Sequence, residues 1–239
     1  MTPSLKRYKK DFDHSYTFGV FPTLELLHHR PADVLSVLLH SKGERSEGVQ
    51  KIERIAAQHH IRTEVNDSAI ERISTQENNW AVGVFRKYEE PINTITNHVA
   101  LVNPADMGNL GTILRTILAF GVTDLALIRP AVDVFDPRAV RASMGALFQV
   151  RFAYFDTFED YADQFDHALY PFITGTANTV ASTYFDAPYT LIFGNESAGL
   201  PDAFHEIGTP VGIPITDRVD SLNLAIAVGI GLFAASNRL

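Results

Sequence analysis

Arg115 interrupts an otherwise aliphatic run in the stretch NPADMGNLGTILRT (103–116). A buried guanidinium needs a partner, so Arg115 is expected to be partly buried or aimed into a cleft. An internal salt bridge would satisfy it as well as a ligand. Pro104, Gly108 and Gly111 make the start of this segment turn-rich. Backbone amides at such a strand-to-helix turn can face an anion or a nucleotide. Gly108-x-x-Gly111 falls short of the dinucleotide fingerprint, and Asn109 also suits a plain helix cap. In a second stretch, LIFGNESAGLP (191–201), an apolar run leads straight into Gly194-Asn195-Glu196. A carboxylate there is costly unless used or paired, and Arg115 is the candidate partner. The alternative is a capping loop with Glu196 near a helix N-terminus. In the third, IPITDRVDSLN (213–223), a charged loop follows Ile213-Pro214 and leads to Ser221-Leu222-Asn223. Ser221 reads as an N-cap; Asn223, in the first turn, is less easily explained as scaffold. Polar groups converging from several strand ends point to a site.

The elements that must carry these residues alternate. HVALVN (98–103), DLALIR (124–129), VRFAYF (150–155), PFITGT (171–176), YTLIFG (189–194) and PVGIPI (210–215) read as strands. LGTILRTILAFG reads as a helix closed by Gly121, and Asp136-Pro137 opens another. This alternation predicts a parallel sheet covered on both faces, with ligands at the carboxyl ends of its strands. Upstream, VLSVLLH (34–40) and AVGVF (81–85) read as strands and VQKIERIAAQHH (49–60) as an amphipathic helix. They form a small α/β unit over residues 1–90, joined by a polar linker (87–97) to a second domain over 98–239.

The formal charge of −8 argues against a simple basic nucleic-acid binder. Its distribution is uneven. Residues 1–97 hold 13 Lys/Arg and 13 Asp/Glu, whereas residues 98–239 hold 7 and 15. The acids Asp156, Glu159, Asp160, Asp163 and Asp166 read as a solvated helix face. The absence of cysteine rules out disulfides and thiolate metal sites and fits the reducing cytoplasm. The uncharged run Leu224–Ala235 is shorter than the ~20 residues a membrane span needs, so it is expected to be buried against protein. The pairs His28-His29 and His59-His60 lack metal-ligand spacing and read as surface histidines.

Taken in order, N…G…R, F-G-N-E-x-x-G-L and I-P-I-x-x-x-x-x-S-L-N closely resemble the three motifs of the SpoU/TrmH family. These are S-adenosylmethionine-dependent RNA 2′-O-ribose methyltransferases of the SPOUT class. The resemblance covers about residues 98–239 and, more loosely, the family's ribosomal-protein-like substrate-binding domain before it. It implies a parallel α/β sheet with a C-terminal trefoil knot, a homodimer with shared active sites, and a last helix buried by the sheet and the partner subunit. It places S-adenosylmethionine against the backbone of Gly194, Ile213 and Leu222, with no metal. It gives Arg115 the central role, as base or as electrostatic organiser of ribose and phosphate. A guanidinium holds its proton firmly, which favours the organiser. Asn109, Glu196, Ser221 and Asn223 would position Arg115 and the ribose, and Arg141 and Ser143 in RASMGALF would meet RNA. Ser197 stands where many members carry glycine, a change small enough for the loop to survive. With an acidic catalytic half, phosphate contacts fall to local Arg groups and the N-terminal Lys/Arg cluster.

The resemblance implies an RNA substrate, ribosomal RNA first and transfer RNA as the alternative. Two further readings compete. Intact Asn109, Arg115, Glu196 and Asn223 argue against a non-catalytic RNA-binding relative. The missing dinucleotide fingerprint argues against a nucleotide-binding oxidoreductase.

Overall fold

The computed structural model describes residues 5–74 and 79–236; residues 1–4, 75–78 and 237–239, which fall within the two expected domains, lie outside the described residues. Two compact units form. One comprises the chain up to Tyr88 together with Asp133–Gln149, the other Glu89–Val132 and everything from Val150. The sequence pattern alone assigns residues 133–149 to the second domain. They return to the first unit because Phe135 and Phe148 pack on Phe85, with ring centroids 6.1 and 5.4 Å away. The Ser15 hydroxyl also donates to Phe135 O at 2.5 Å. Such contacts between residues far apart in sequence leave no trace in local periodicity.

In chain order the first unit starts with β1 (His14–Phe18), α1 (Val20–His29), β2 (Val34–Leu39), α2 (Glu47–Gln58), β3 (Thr63–Val65), α3 (Asp67–Ile73) and β4 (Ala81–Arg86). The sheet runs β1-β4-β2-β3, with β4 antiparallel to both neighbours and β2 parallel to β3. Alternate strand residues face opposite layers. Val37, Leu39 and Ala81 meet Val49, Ile52 and Ala56 of α2; Leu38, Val82 and Val84 meet Ile70 and Ile73 of α3. Helix α2 starts where Ser46 caps it by accepting from Val49 N.

The second unit holds β5 (His98–Val102), α4 (Met107–Ala119) and β6 (Asp124–Ile128). After α5 (Pro137–Ala142) in the first unit, it resumes with β7 (Arg151–Phe155), α6 (Phe158–Ala162), β8 (Ala168–Pro171), β9 (Tyr189–Phe193) and α7 (Leu224–Ser236). Its five strands are all parallel, in the order β7-β6-β5-β9-β8. Every residue of β5, β6 and β9 is buried, as a sheet covered on both faces requires. Two expected strands are not strands. PFITGT gives way after Pro171, and PVGIPI makes only isolated bridges, Val211 to Phe172 and Gly212 to Thr179. Pro210 and Pro214 lack the N–H a ladder needs. Helix α7 lies on β9, and a Cβ at Gly231 would sit 2.7 Å from Phe172 Cζ and 3.0 Å from Phe193 Cζ of β9. Among the described residues no helix is long and apolar enough to cross a membrane.

A buried polar cluster fixes the amino ends of these strands. Asp124 is fully buried. Burial pushes its carboxyl up, but hydrogen bonds from Arg151 (2.7 and 2.6 Å), Asn93 N and Thr96 outweigh this and hold it at about 2. His98, also fully buried, lies between the Tyr161 hydroxyl (2.8 Å) and Asn93 O (2.7 Å), with the His167 ring 4.4 Å away. Burial pushes His98 down to about 4. An unfolded histidine takes its proton near 6.5, so between those values the unfolded chain binds more protons and stability falls as pH falls. Asp124 adds its own loss only below the ordinary aspartate range. The unfolding free energy from urea denaturation is therefore expected to fall by roughly 1.5 kcal/mol through His98 between pH 6.5 and 5. A His98→Gln variant should show a correspondingly flatter slope; equal slopes would contradict the assignment.

Candidate active site

The three sequence stretches meet at the carboxyl ends of β5 and β9. Strand β9 runs into Gly194, where a Cβ would stand 2.1 Å from Gly199 C and 2.3 Å from Leu200 N. Only glycine lets the loop fold back this tightly. Asn195 and Gly199 exchange backbone hydrogen bonds, N to O, at 3.1 and 2.9 Å, with Gly199 at φ +68°. The Asn195 side chain organises the loop. Its Oδ1 accepts from Ser197 N (2.9 Å) and Ala198 N (3.0 Å), and its Nδ2 donates to Asn103 O (2.8 Å). Sequence reasoning gives Asn195 no role of its own; its place between Gly194 and Glu196 is the available signal. Ser197 enters that turn through its backbone N–H, which any residue but proline supplies.

Glu196 joins this loop to the start of α4. Its Oε2 accepts from Ala105 N (3.1 Å), and its Oε1 accepts from Asp106 N (3.1 Å) and Asn109 Nδ2 (3.2 Å). A carboxylate at a helix N-terminus is favoured by the unpaired amides and the helix dipole. Asn109 Oδ1 then accepts from Asn223 Nδ2 (2.9 Å), and Asn223 Oδ1 accepts from Ala225 N (2.9 Å) and Ile226 N (3.3 Å). A continuous line Glu196–Asn109–Asn223 thus links all three stretches. Two capping assignments change. Asp106 caps α4 by accepting from Asn109 N (2.7 Å), which frees the Asn109 side chain to bridge. Asn223 caps α7, which begins at Leu224, so Ser221 is an exposed loop residue beside the cap.

A cleft of about 410 Å³ opens beside this line. Gly194, Glu196, Ile213, Ser221 and Leu222 are among the residues that line it. All three residues assigned to the cofactor through family resemblance therefore share one cavity.

Arg115 lies elsewhere. It is exposed and, among the described residues, forms no ion pair, so the expected burial and the pairing with Glu196 are both overturned. The reason is helical geometry. Leu110, Ile113, Leu114 and Ile117 form the inward face of α4, while Gly108, Thr112, Arg115 and Ala119 share the exposed one. Aliphatic neighbours in sequence are not neighbours on the helix surface. Helix α7 packs beside α4 and leaves Ile226 and Phe233 56 % and 58 % exposed. Arg141 and Ser143 belong to the first unit. Arg141 is exposed on α5, but Ser143 is fully buried with its hydroxyl donating to Val140 O at 2.7 Å. Ser143 is a structural residue and cannot meet RNA as expected.

Residues 96–233 match the SpoU rRNA Methylase family. An uncharacterized tRNA/rRNA methyltransferase of Synechocystis is 35% identical over 134 residues, covering 54% of this chain and 49% of that protein. A 23S rRNA (uridine(2479)-2′-O)-methyltransferase of Streptomyces viridochromogenes is 34% identical over 141 residues, covering 55% and 49%. The match thus spans about half the length of these relatives. The AdoMet-bound rRNA methyltransferase structure from Sinorhizobium meliloti is 28% identical, with a TM-score of 0.78 over 95% of this chain and 88% of that one. With the family's region covering more than half of the chain, including the three loops and the cleft they line, this chain belongs to the SpoU rRNA methylase family.

Proposed function

We propose that this protein transfers a methyl group from S-adenosylmethionine to a ribose 2′-hydroxyl of RNA, with ribosomal RNA as the first candidate and transfer RNA as the second. The observation that carries this reading is the Glu196–Asn109–Asn223 line running beside a cleft that gathers Gly194, Ile213 and Leu222. The lining fits an adenosyl group: Ile213 and Leu222 offer apolar surface, and the bare Cα of Gly194 lets a ligand approach the backbone. When bound, S-adenosylmethionine supplies an electrophilic methyl on a sulfonium. The protein's task is to hold the ribose hydroxyl in line and to stabilise charge as its proton leaves. Asn109 and Asn223 fix each other and the first turns of both helices, and Glu196 holds loop and helix in register.

The exposed face of α4 and α7 supports a homodimer. Ile226 and Phe233 stand open to solvent on an uncharged helix, and a second copy covering them by twofold symmetry would bury that surface. In that assembly Arg115 serves the partner's site rather than its own, as organiser of ribose and phosphate. The C-terminal segment is knotted in this reading. Its support is the way Val211 and Gly212 are bonded on both sides, to Pro171 and Ile173 and to Asn178 and Val180, before α7 begins. The first unit acts as the substrate domain, in the cytoplasm.

Calorimetric titration of the purified protein with S-adenosylmethionine, with NAD as control ligand, tests the core of the proposal. Binding near one per subunit supports it, whereas binding of NAD alone would sink it. Methyl transfer to unmodified ribosomal and transfer RNA then separates the two substrates.

A further inference from the structure

We infer that the first unit carries a built cationic surface for the phosphate backbone of folded RNA, centred on Lys6, Arg7, Lys9 and Lys10. The inference rests on the RNA methyltransferase reading and adds where, on so acidic a protein, the polyanion is held. The four side chains are all exposed, yet the backbone that bears them is fastened. The Tyr16 hydroxyl donates to Lys6 O (2.8 Å), Lys87 Nζ donates to Lys10 O (2.8 Å), and Phe12 N donates to Lys9 O (3.1 Å). Tyr8, between the cations, bonds through its hydroxyl to Asp133, and its ring lies 4.8 Å from Lys87 Nζ. The arm therefore presents its charges without first having to be ordered, which lowers the entropic cost of binding.

The surrounding charges point the same way. Exposed Arg86 ends the strand paired with β1 and faces His14 across the ladder. The nearby acids are largely engaged. Asp133 is held by Tyr8 and Lys87, and Asp13 by His14 at 2.8 Å, a bond that also lowers its pKa. Asp11 and Asp13, whose side chain is 88% exposed despite its bond to His14, remain as the exposed opposing charges. Recognition here is of phosphate rather than of bases. Tyr8 and Phe12 are half-buried and packed edge to face at 6.4 Å, and Phe12 stacks on His14 at 5.1 Å, so neither offers an open ring for an unpaired base. Double-stranded RNA read through its backbone is the ligand that such a surface suits.

The experiment compares wild type with a quadruple variant, Lys6→Ala, Arg7→Ala, Lys9→Ala and Lys10→Ala. Binding to a fluorescent RNA stem-loop and to oligo(U) is followed by anisotropy across a salt series. The variant loses only exposed side chains and keeps the backbone carbonyls that anchor the arm, and thermal melting checks its fold. Wild type should prefer the stem-loop. The variant should bind it about 10–100-fold more weakly at low salt, with the slope of log K against log salt reduced by about one for each phosphate it no longer neutralises. A Lys6→Arg, Lys9→Arg and Lys10→Arg variant should bind as wild type does. Wild-type affinity and slope in the quadruple variant would overturn the inference, as would stronger binding to oligo(U), or no RNA binding by wild type. The same samples are titrated with S-adenosylmethionine. Loss of that binding in wild type would count against the methyltransferase reading, whereas its retention beside an unchanged RNA slope would count against the cationic surface alone.

Discussion

Replacing Arg115 by alanine is expected to lower the rate of methyl transfer about 10²–10³-fold, the range seen when one preorganised charge-stabilising donor is lost. Folding, S-adenosylmethionine binding and overall RNA affinity should change little. The side chain is exposed and carries no ion pair among the described residues, so its removal leaves no buried charge unpartnered and opens no cavity. The mixed-dimer experiment is sharper. If Arg115 acts across a twofold interface, mixing the inactive Arg115→Ala and Asn223→Ala proteins creates heterodimers with one intact site. Under random assortment about a quarter of wild-type activity should return. If Arg115 acts within its own subunit, both sites of every heterodimer are damaged and nothing returns. Full activity in Arg115→Ala alone would remove Arg115 from the site altogether.

Gly194→Ala is expected to abolish measurable S-adenosylmethionine binding, with an affinity loss of at least about 100-fold and methyl transfer falling with it. The added Cβ would stand 2.1 Å from Gly199 C, 2.3 Å from Gly199 O and 2.3 Å from Leu200 N. These are backbone atoms that cannot rotate aside, so the 194–199 turn must open. Opening it breaks the paired bonds between Asn195 and Gly199 and pulls Glu196 from the start of α4. The cleft is thus destroyed through its wall rather than by removing a group that touches the ligand. Calorimetry and a thermal melt on the same protein separate the outcomes. A folded variant that binds no S-adenosylmethionine fits the geometry, whereas wild-type affinity would show that the turn is not part of the cofactor site.

The alternating apolar runs are enough to give the parallel sheet, because strands covered on both faces must be apolar throughout, as β5, β6 and β9 are. The three site stretches are legible for a similar reason: glycine, asparagine and glutamate directly after such runs have little structural excuse. Where prolines cut the ladder, at 210 and 214, the same pattern misleads. Which residues touch is decided only in three dimensions. Arg115 looks buried because its chain neighbours are aliphatic, but helical rotation turns it outward to solvent. The Glu196–Asn109–Asn223 line joins residues 87 and 114 positions apart, and no local spacing encodes that distance. Ser143 becomes structural through its burial, and residues 133–149 join the first unit through packing on side chains far earlier in the chain, such as Phe85 against Phe135 and Phe148 and Glu25 beside Gly145. Residue chemistry and local periodicity are written along the chain; long-range burial decides which of those residues meet.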